Sequence, residues 1–257
     1  MNILMTNDDG IASEGIQKLA KLLRFRGKHR VFVIAPDSNR SGISHALSIL
    51  NGPVRLCERG EDTWSCTGYP ADCVIAGMLG AIPARPELIL SGINQGSNLG
   101  TDLLYSGTAA AARQASLWSV PAIALSLCGR DNFFWDMAAS WAVEHLDDLA
   151  SFWRKDTFVN VNIPNTPAGP AGIMMTWPDI RSYHDAVTMM DAPDGSRWCF
   201  MKPGIETSVN ERGSDCDAVA RNYVSVSSVF NHPVVLKELC PSAPEYAAVA
   251  GRSGEAG

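Results

Sequence analysis

The sequence has no C-x-x-C pair, although it carries seven cysteines: Cys57, Cys66, Cys73, Cys128, Cys199, Cys216 and Cys240. Structural zinc sites and dithiol redox centres use such paired spacing, so both are disfavoured. The odd count argues against a disulfide framework. The first strand begins at the second residue, leaving no room for a targeting segment, and reduced thiols in a cytoplasm are expected. No apolar run approaches the roughly 20 residues of a membrane span. Basic residues are in the minority, with 21 Lys and Arg against 27 Asp and Glu and a formal charge of −6. That balance does not suit a nucleic-acid polymer, whose backbone wants cationic partners. A small phosphate ligand remains compatible with it, because a bound cation inverts the local field. The glycine-rich loop at 92–107 contains neither G-x-x-x-x-G-K-[ST] nor G-x-G-x-x-G, which removes a P-loop NTPase and a Rossmann dehydrogenase.

What is present begins with a hydrophobic fraction of 46% over 257 residues, enough for a sizeable core. Asn2 to Thr6 reads as a buried strand. Ser13 caps a helix whose stripe is Ile16, Leu19, Ala20, Leu22 and Leu23, stopped at Gly27. Arg30 to Ala35 is a second buried strand, halted by Pro36. Strand, helix and strand within about 35 residues make a βαβ unit with parallel pairing. Val54–Cys57 and Thr63–Cys66 are short strand candidates, and Pro70 starts a helix. Glu87–Ser91, Pro121–Leu127 and Phe158–Ile163 are further strands, separated by an alanine-rich helix over Thr108–Leu117 and a longer helix through Met137 and Trp153. The fold expected is α/β, a doubly wound, mostly parallel, Rossmann-like sheet with a β-rich C-terminal arm. Residues 1–165 form the catalytic core in this reading, 166–246 the arm, and 247–257 a frayed tail.

Three loops leave the carboxyl ends of three predicted parallel strands, which is the edge where open α/β sheets hold ligands. The first presents Asp8 and Asp9. The second offers Asn39, Ser41 and Ser44 with Arg40 and His45. The third carries Asn94 and Asn98 among glycines, then Ser106, Gly107 and Thr108 at a helix start. Carboxylate, hydroxyl and amide oxygens without clustered His or Cys favour a hard cation such as Mg²⁺ or Mn²⁺. N–H groups at Ser106–Thr108 are expected to be free for an anion. A cation beside a phosphate cradle suits hydrolysis of a phosphate monoester.

Each piece also has an ordinary reading. A lone Asp-Asp-Gly is commonly a turn, and glycine-rich loops are commonly plain connections. His45 is either a proton donor to the leaving group or a packed loop histidine. Arg40 either clamps phosphate or is solvated. Convergence at one sheet edge favours the site. Two other functions compete with metal-activated hydrolysis. One is a covalent phosphatase with Asp8 as nucleophile, but Asn7-Asp8-Asp9-Gly10 lacks the D-x-D-x-[TV] pattern. The other is a nucleotide-sensing binding protein without turnover.

Five blocks resemble the stationary-phase survival protein SurE family of metal-dependent nucleotidases. They are ILMTNDDG at Ile3–Gly10, APDSNRSGISH at Ala35–His45, TGYPADCV at Thr67–Val74, SGINQGSNLG at Ser91–Gly100 and YSGTAAAA at Tyr105–Ala112. The resemblance implies a divalent cation, one per subunit, on Asp8, Asp9, Ser41 and Asn94, and phosphate on Asn98, Ser106, Gly107 and Thr108. It implies hydrolysis of nucleoside 5′- and 3′-monophosphates, in some members also of short polyphosphate, and homodimers or homotetramers joined through the C-terminal arm. Asp8, Asp9 and His45 are the catalytic candidates. Ser214–Val226 (SDCDAVARNYVSV) is similar to a later family block, with Ser214 and Asn222 as departures that bear on the arm. Tyr69 stands where the family usually has Thr, at a position expected to shape the pocket rim.

Overall fold

A computed structural model of the chain describes residues 1–233. Strand β1 (Asn2–Thr6) puts Ile3, Leu4 and Met5 on consecutive positions, and none of the three is exposed. A strand apolar on both faces must be covered on both, which is the condition of a central parallel strand. β2 (Arg30–Pro36), β3 (Leu56–Gly60), β4 (Thr63–Cys66), β5 (Leu88–Gln95), β6 (Ala122–Cys128), β7 (Thr157–Pro164), β8 (Ile173–Met175), β9 (Arg181–Asp191), β10 (Arg197–Ser208) and β11 (Val224–Phe230) follow. Nine of them form one sheet in the order β3-β4-β2-β1-β5-β6-β7-β11-β8. From β4 through β7 every pairing is parallel, while β3 and β11 run antiparallel to their neighbours β4 and β7.

Helices α1 (Glu14–Arg26), α4 (Trp135–Glu144) and α5 (Leu146–Ser151) cover one face of the sheet; α2 (Pro70–Ala76) and α3 (Gly107–Leu117) cover the other. The alternation along β1 shows the division, since Ile3 and Met5 join the first cluster and Leu4 the second. Burying each such side chain contributes about 1.5–3 kcal/mol. α3 is wrapped almost all round, and the small side chains of Ala109–Ala112 let it lie close to the sheet. The doubly wound α/β class expected from the sequence is the fold observed. Chain order reverses beside β1, because β2 lies on one flank and β5 on the other. The crevice between the carboxyl ends of β1 and β5 is therefore a topological switch point.

Three details differ from the sequence reading. β5 continues past Ser91 to Gln95, so Asn94 ends a strand rather than sitting in a loop. The helix expected through Met137 and Trp153 breaks at His145, whose ring stacks on Trp141. Residues beyond 165 do not form a single arm. β8, β11 and α6 (Asp215–Ala220) pack into the main sheet, and what stands apart is the β9–β10 hairpin. The tail at 247–257 and the end of the 166–246 region lie outside the described residues.

Candidate active site

Asn7 builds the turn that follows β1. Its buried amide donates to the Gly10 carbonyl at 2.9 Å and to Ser13 Oγ at 2.7 Å, and its Oδ1 accepts from the Gly10 N–H at 3.2 Å. This closed turn projects two carboxylates from the switch point. Ser13 thus ties the turn to the start of α1 instead of capping the helix with its own side chain. Gly10 takes a φ of +98°, which a side chain would resist, and a Cβ there would sit 3.0 Å from the Ser38 carbonyl carbon.

Asp8 is 3% exposed. Its carboxylate receives the Thr108 hydroxyl and faces the N–H groups of Gly107 and Thr108 at the start of α3. Burial pushes its carboxyl above the ordinary range, and these donors only partly offset that. Asp9 accepts the Gln95 N–H at 2.9 Å, and burial lifts its carboxyl from 3.8 to about 6, with the Asp8 charge adding to the rise. Burial is the main cause of both shifts, and the charge of the neighbouring carboxylate adds to that of Asp9.

The loops are tied to one another. The Arg40 N–H donates to the Asp8 carbonyl at 2.7 Å. Ser44 donates its hydroxyl to the Leu104 carbonyl at 2.7 Å and its N–H to the Tyr105 carbonyl at 2.9 Å. Asn98 is anchored by β7: its N–H donates to Asn162 Oδ1 at 2.9 Å, and Asn160 and Asn162 both donate to its carbonyl at 3.0 Å. The result is an open cleft of about 360 Å³ into which Asp8, Ser41, Asn94, Asn98 and Ser106 converge. Its far wall holds Asp102, Tyr105, Arg181, Tyr183 and Glu206, the last three from the β9–β10 hairpin.

A family model for the survival protein SurE matches residues 3–185. The chain belongs to the SurE family. The 5′-nucleotidase SurE of Pelobacter propionicus is 40% identical over 230 residues, covering 88% of this chain and 92% of that protein. The 5′-nucleotidase SurE of Geotalea daltonii is 37% identical over 251 residues, covering 93% and 98%. The crystal structure of the SurE protein from Aquifex aeolicus superposes with a TM-score of 0.79 at 33% identity, covering 93% of this chain and 97% of that one.

The donor set in this SurE chain fits a hard divalent cation. Asp8, Asp9, Ser41 and Asn94 offer carboxylate, hydroxyl and amide oxygens. The Asn94 amide nitrogen is held by the Gly96 carbonyl at 2.9 Å, which leaves its oxygen for a ligand. Among the described residues no three His, Cys, Asp or Glu side chains cluster, so the two acids would hold a cation only together with hydroxyl and amide oxygens. Ser41 is exposed at the cleft mouth and Asp9 lies beside the cleft rather than lining it.

The anion cradle differs from its expected form. The Ser106 N–H donates to the Asp102 carbonyl at 3.0 Å, while the N–H groups of Gly107 and Thr108 face Asp8. The positive end of α3 draws the nearest uncompensated carboxylate. His45 does not line the cleft. Its Nε2 lies 3.0 Å from Gln114 Oε1, two turns along α3, and burial pushes the ring toward the neutral form. Arg40 pairs with Asp37 at 3.1 Å, and Tyr69 donates its N–H to Asp72 at the start of α2; neither reaches the cleft.

Some site residues escaped the sequence reading. Asn160 and Asn162 had a local signal, since two same-face asparagines in an otherwise apolar buried strand must serve backbone groups. Arg181, Tyr183 and Glu206 had none, because they arrive from roughly 80 residues or more beyond the glycine-rich loop.

Proposed function

We propose that the chain is a metal-dependent 5′-nucleotidase that hydrolyses nucleoside 5′-monophosphates, and the 3′ isomers, to nucleoside and phosphate. The observation that carries this reading is the buried Asp8 carboxylate sharing a switch-point crevice with neutral oxygen donors and a helix N-terminus, with Asp9 beside it. Asp8, Asp9, Ser41 and Asn94 hold one cation, Mg²⁺ or Mn²⁺. When bound, that cation polarises the phosphoryl oxygens and lowers the pKa of an attacking water.

The remaining work belongs to the chain. On binding the cation, Asp8 would be shared between it and the α3 N-terminus, and the N–H groups of Gly107 and Thr108 would then be available to phosphate. Ser106 and Asn98 orient the phosphoryl group from either side, Asn98 being held rigidly by Asn160 and Asn162. With its ring on Gln114, His45 is not placed to protonate the leaving group, so the packed reading of that residue gains. Inorganic phosphate should be released from nucleoside monophosphates with Mn²⁺ or Mg²⁺, fall to background with chelator, and return when cation is restored. Nucleotide binding without phosphate release would transfer the site to a sensing protein.

We also read the β9–β10 hairpin as the surface through which copies of the chain associate into homodimers or homotetramers. Met189, Met190, Trp198, Phe200 and Met201 are exposed on it, and large apolar side chains gathered on one projecting element mark an interaction surface. Light scattering should give a dimer or larger; a monomer at micromolar concentration would refute this. All the described cysteines are free thiols, which supports a reducing cytoplasm, and among the described residues no helix is long and apolar enough to cross a membrane.

A further inference from the structure

The cleft has two unlike ends. Asp8, Asn94, Asn98 and Ser106 meet at one, where the phosphoryl group is placed. The other is a wall made by the hairpin and by the single turn at Gly100–Leu104. Arg181 is the one basic residue lining the cleft among the described residues, and its side chain is 5% exposed. One terminal nitrogen contacts Asp102 and the other contacts Glu206. The Tyr183 hydroxyl also donates to Asp102. Tyr183 and Glu206 are directly opposed across the hairpin and Arg181 lies two residues from Tyr183, so all three share one hairpin face.

Two carboxylates therefore enclose one guanidinium, and the wall carries an excess negative charge. Each terminal nitrogen of Arg181 already faces a carboxylate and its Nε is buried, so its charge is neutralised within the wall. Both Asp102 oxygens are engaged, whereas Glu206 lines the cleft, is 40% exposed and contacts Arg181 through Oε1.

We propose that Glu206, with Asp102, selects monophosphates by confronting any second phosphate with this anionic wall. The inference rests on the nucleotidase reading of the site. A nucleoside monophosphate seated at the Asp8 end extends a neutral, hydroxyl-bearing nucleoside toward the wall, where Glu206 accepts a hydrogen bond from a hydroxyl. A nucleoside diphosphate, nucleoside triphosphate or short polyphosphate would bring further negative charge to the same place and find no free cationic side chain. Like charges at close range in a partly desolvated cleft are costly. The short-polyphosphate activity implied by the family resemblance should then be weak in this chain.

The test compares kcat/KM for a nucleoside monophosphate and for inorganic tripolyphosphate, with free cation held in excess because tripolyphosphate chelates it. The wild-type chain should strongly prefer the monophosphate, and raised ionic strength should narrow the gap. Glu206→Gln should raise kcat/KM for tripolyphosphate about tenfold without raising it for the monophosphate, and Glu206→Lys should raise it further. If Glu206 only docked the hairpin, both variants would lose activity on both substrates equally, and the proposal would fall. It would also fall if the wild-type chain took tripolyphosphate as readily as the monophosphate. A wild-type chain inert toward every monophosphate would refute the nucleotidase reading and this inference with it.

Discussion

Asp8→Asn should lower nucleotidase turnover by about 10³-fold or more while the chain stays folded. On the proposed ligand set the loss is large because the cation would lose its most buried anionic ligand, and stabilising phosphoryl charge in the transition state is worth several kcal/mol. The fold should survive because Asp8 contributes no apolar packing. An amide oxygen can still accept the Thr108 hydroxyl, and removing a buried charge offsets the loss of stronger hydrogen bonds to within about 1 kcal/mol. Thermal melting separates the two effects. Saturating Mn²⁺ should raise the wild-type Tm, because a ligand that binds only the folded state stabilises it, and should leave Asp8→Asn unmoved. In the wild type this gain should shrink as pH falls below about 6, where Asp9 takes up a proton in competition with the cation. The sign without cation is opposite. Asp9 is raised from 3.8 to about 6 in the fold, so the folded chain binds that proton more tightly than the unfolded chain does. Its ionisation therefore destabilises the cation-free fold progressively from about pH 4 to about pH 6, and fully above. Turnover by Asp8→Asn within tenfold of wild type, or a circular dichroism spectrum of an unfolded chain, would show that Asp8 has been misassigned.

Much of the scaffold was legible because parallel strands covered on both faces are continuous apolar runs, and each such run here ends at a polar or proline punctuation. The same logic brings the loops together: three loops leaving the carboxyl ends of strands near β1 must face one crevice once the order β2-β1-β5 is accepted. The limits of local sequence are also visible. Gly92 and Gly96 suggested that the loop begins after Ser91, yet pairing with β6 carries β5 on to Gln95. His45 follows the second loop's hydroxyls in sequence but turns away to Gln114, a partner 69 residues distant. The hairpin wall could not be inferred from local pattern. Asp215 accepts the Gly100 N–H at 2.7 Å and the Asp179 N–H at 2.9 Å, and so clamps the hairpin's entry to the glycine-rich loop across more than 100 residues. No periodicity encodes that contact. The family block containing Asp215 was visible; its task was not.

Gly107→Ala should cost about 10²-fold in kcat and lower Tm by only a few degrees, the cost of one overpacked contact. Gly107 opens α3 in ordinary helical backbone, where alanine is the better helix former, so the substitution favours the helix locally. The obstacle is entirely on the other side of the contact. A Cβ on residue 107 would lie 2.8 Å from Asp8 Cβ, 2.9 Å from its Oδ2 and 3.2 Å from its Cγ. Asp8 cannot withdraw freely, because its carbonyl is held by Arg40 and the turn behind it is closed by Asn7. Either the carboxylate or the first turn of α3 must shift by several tenths of an ångström, and both belong to the group that receives the phosphate. Displacements of about 1 Å in such positioning elements cost about 10²-fold in rate. Because the proposed cation ligand and phosphate donors meet at this one contact, the variant should show a weakened Mn²⁺-induced Tm gain together with the fall in kcat. Wild-type turnover in Gly107→Ala would mean that the approach of Asp8 to α3 is incidental to catalysis, and with it the coupling between cation and phosphate sites.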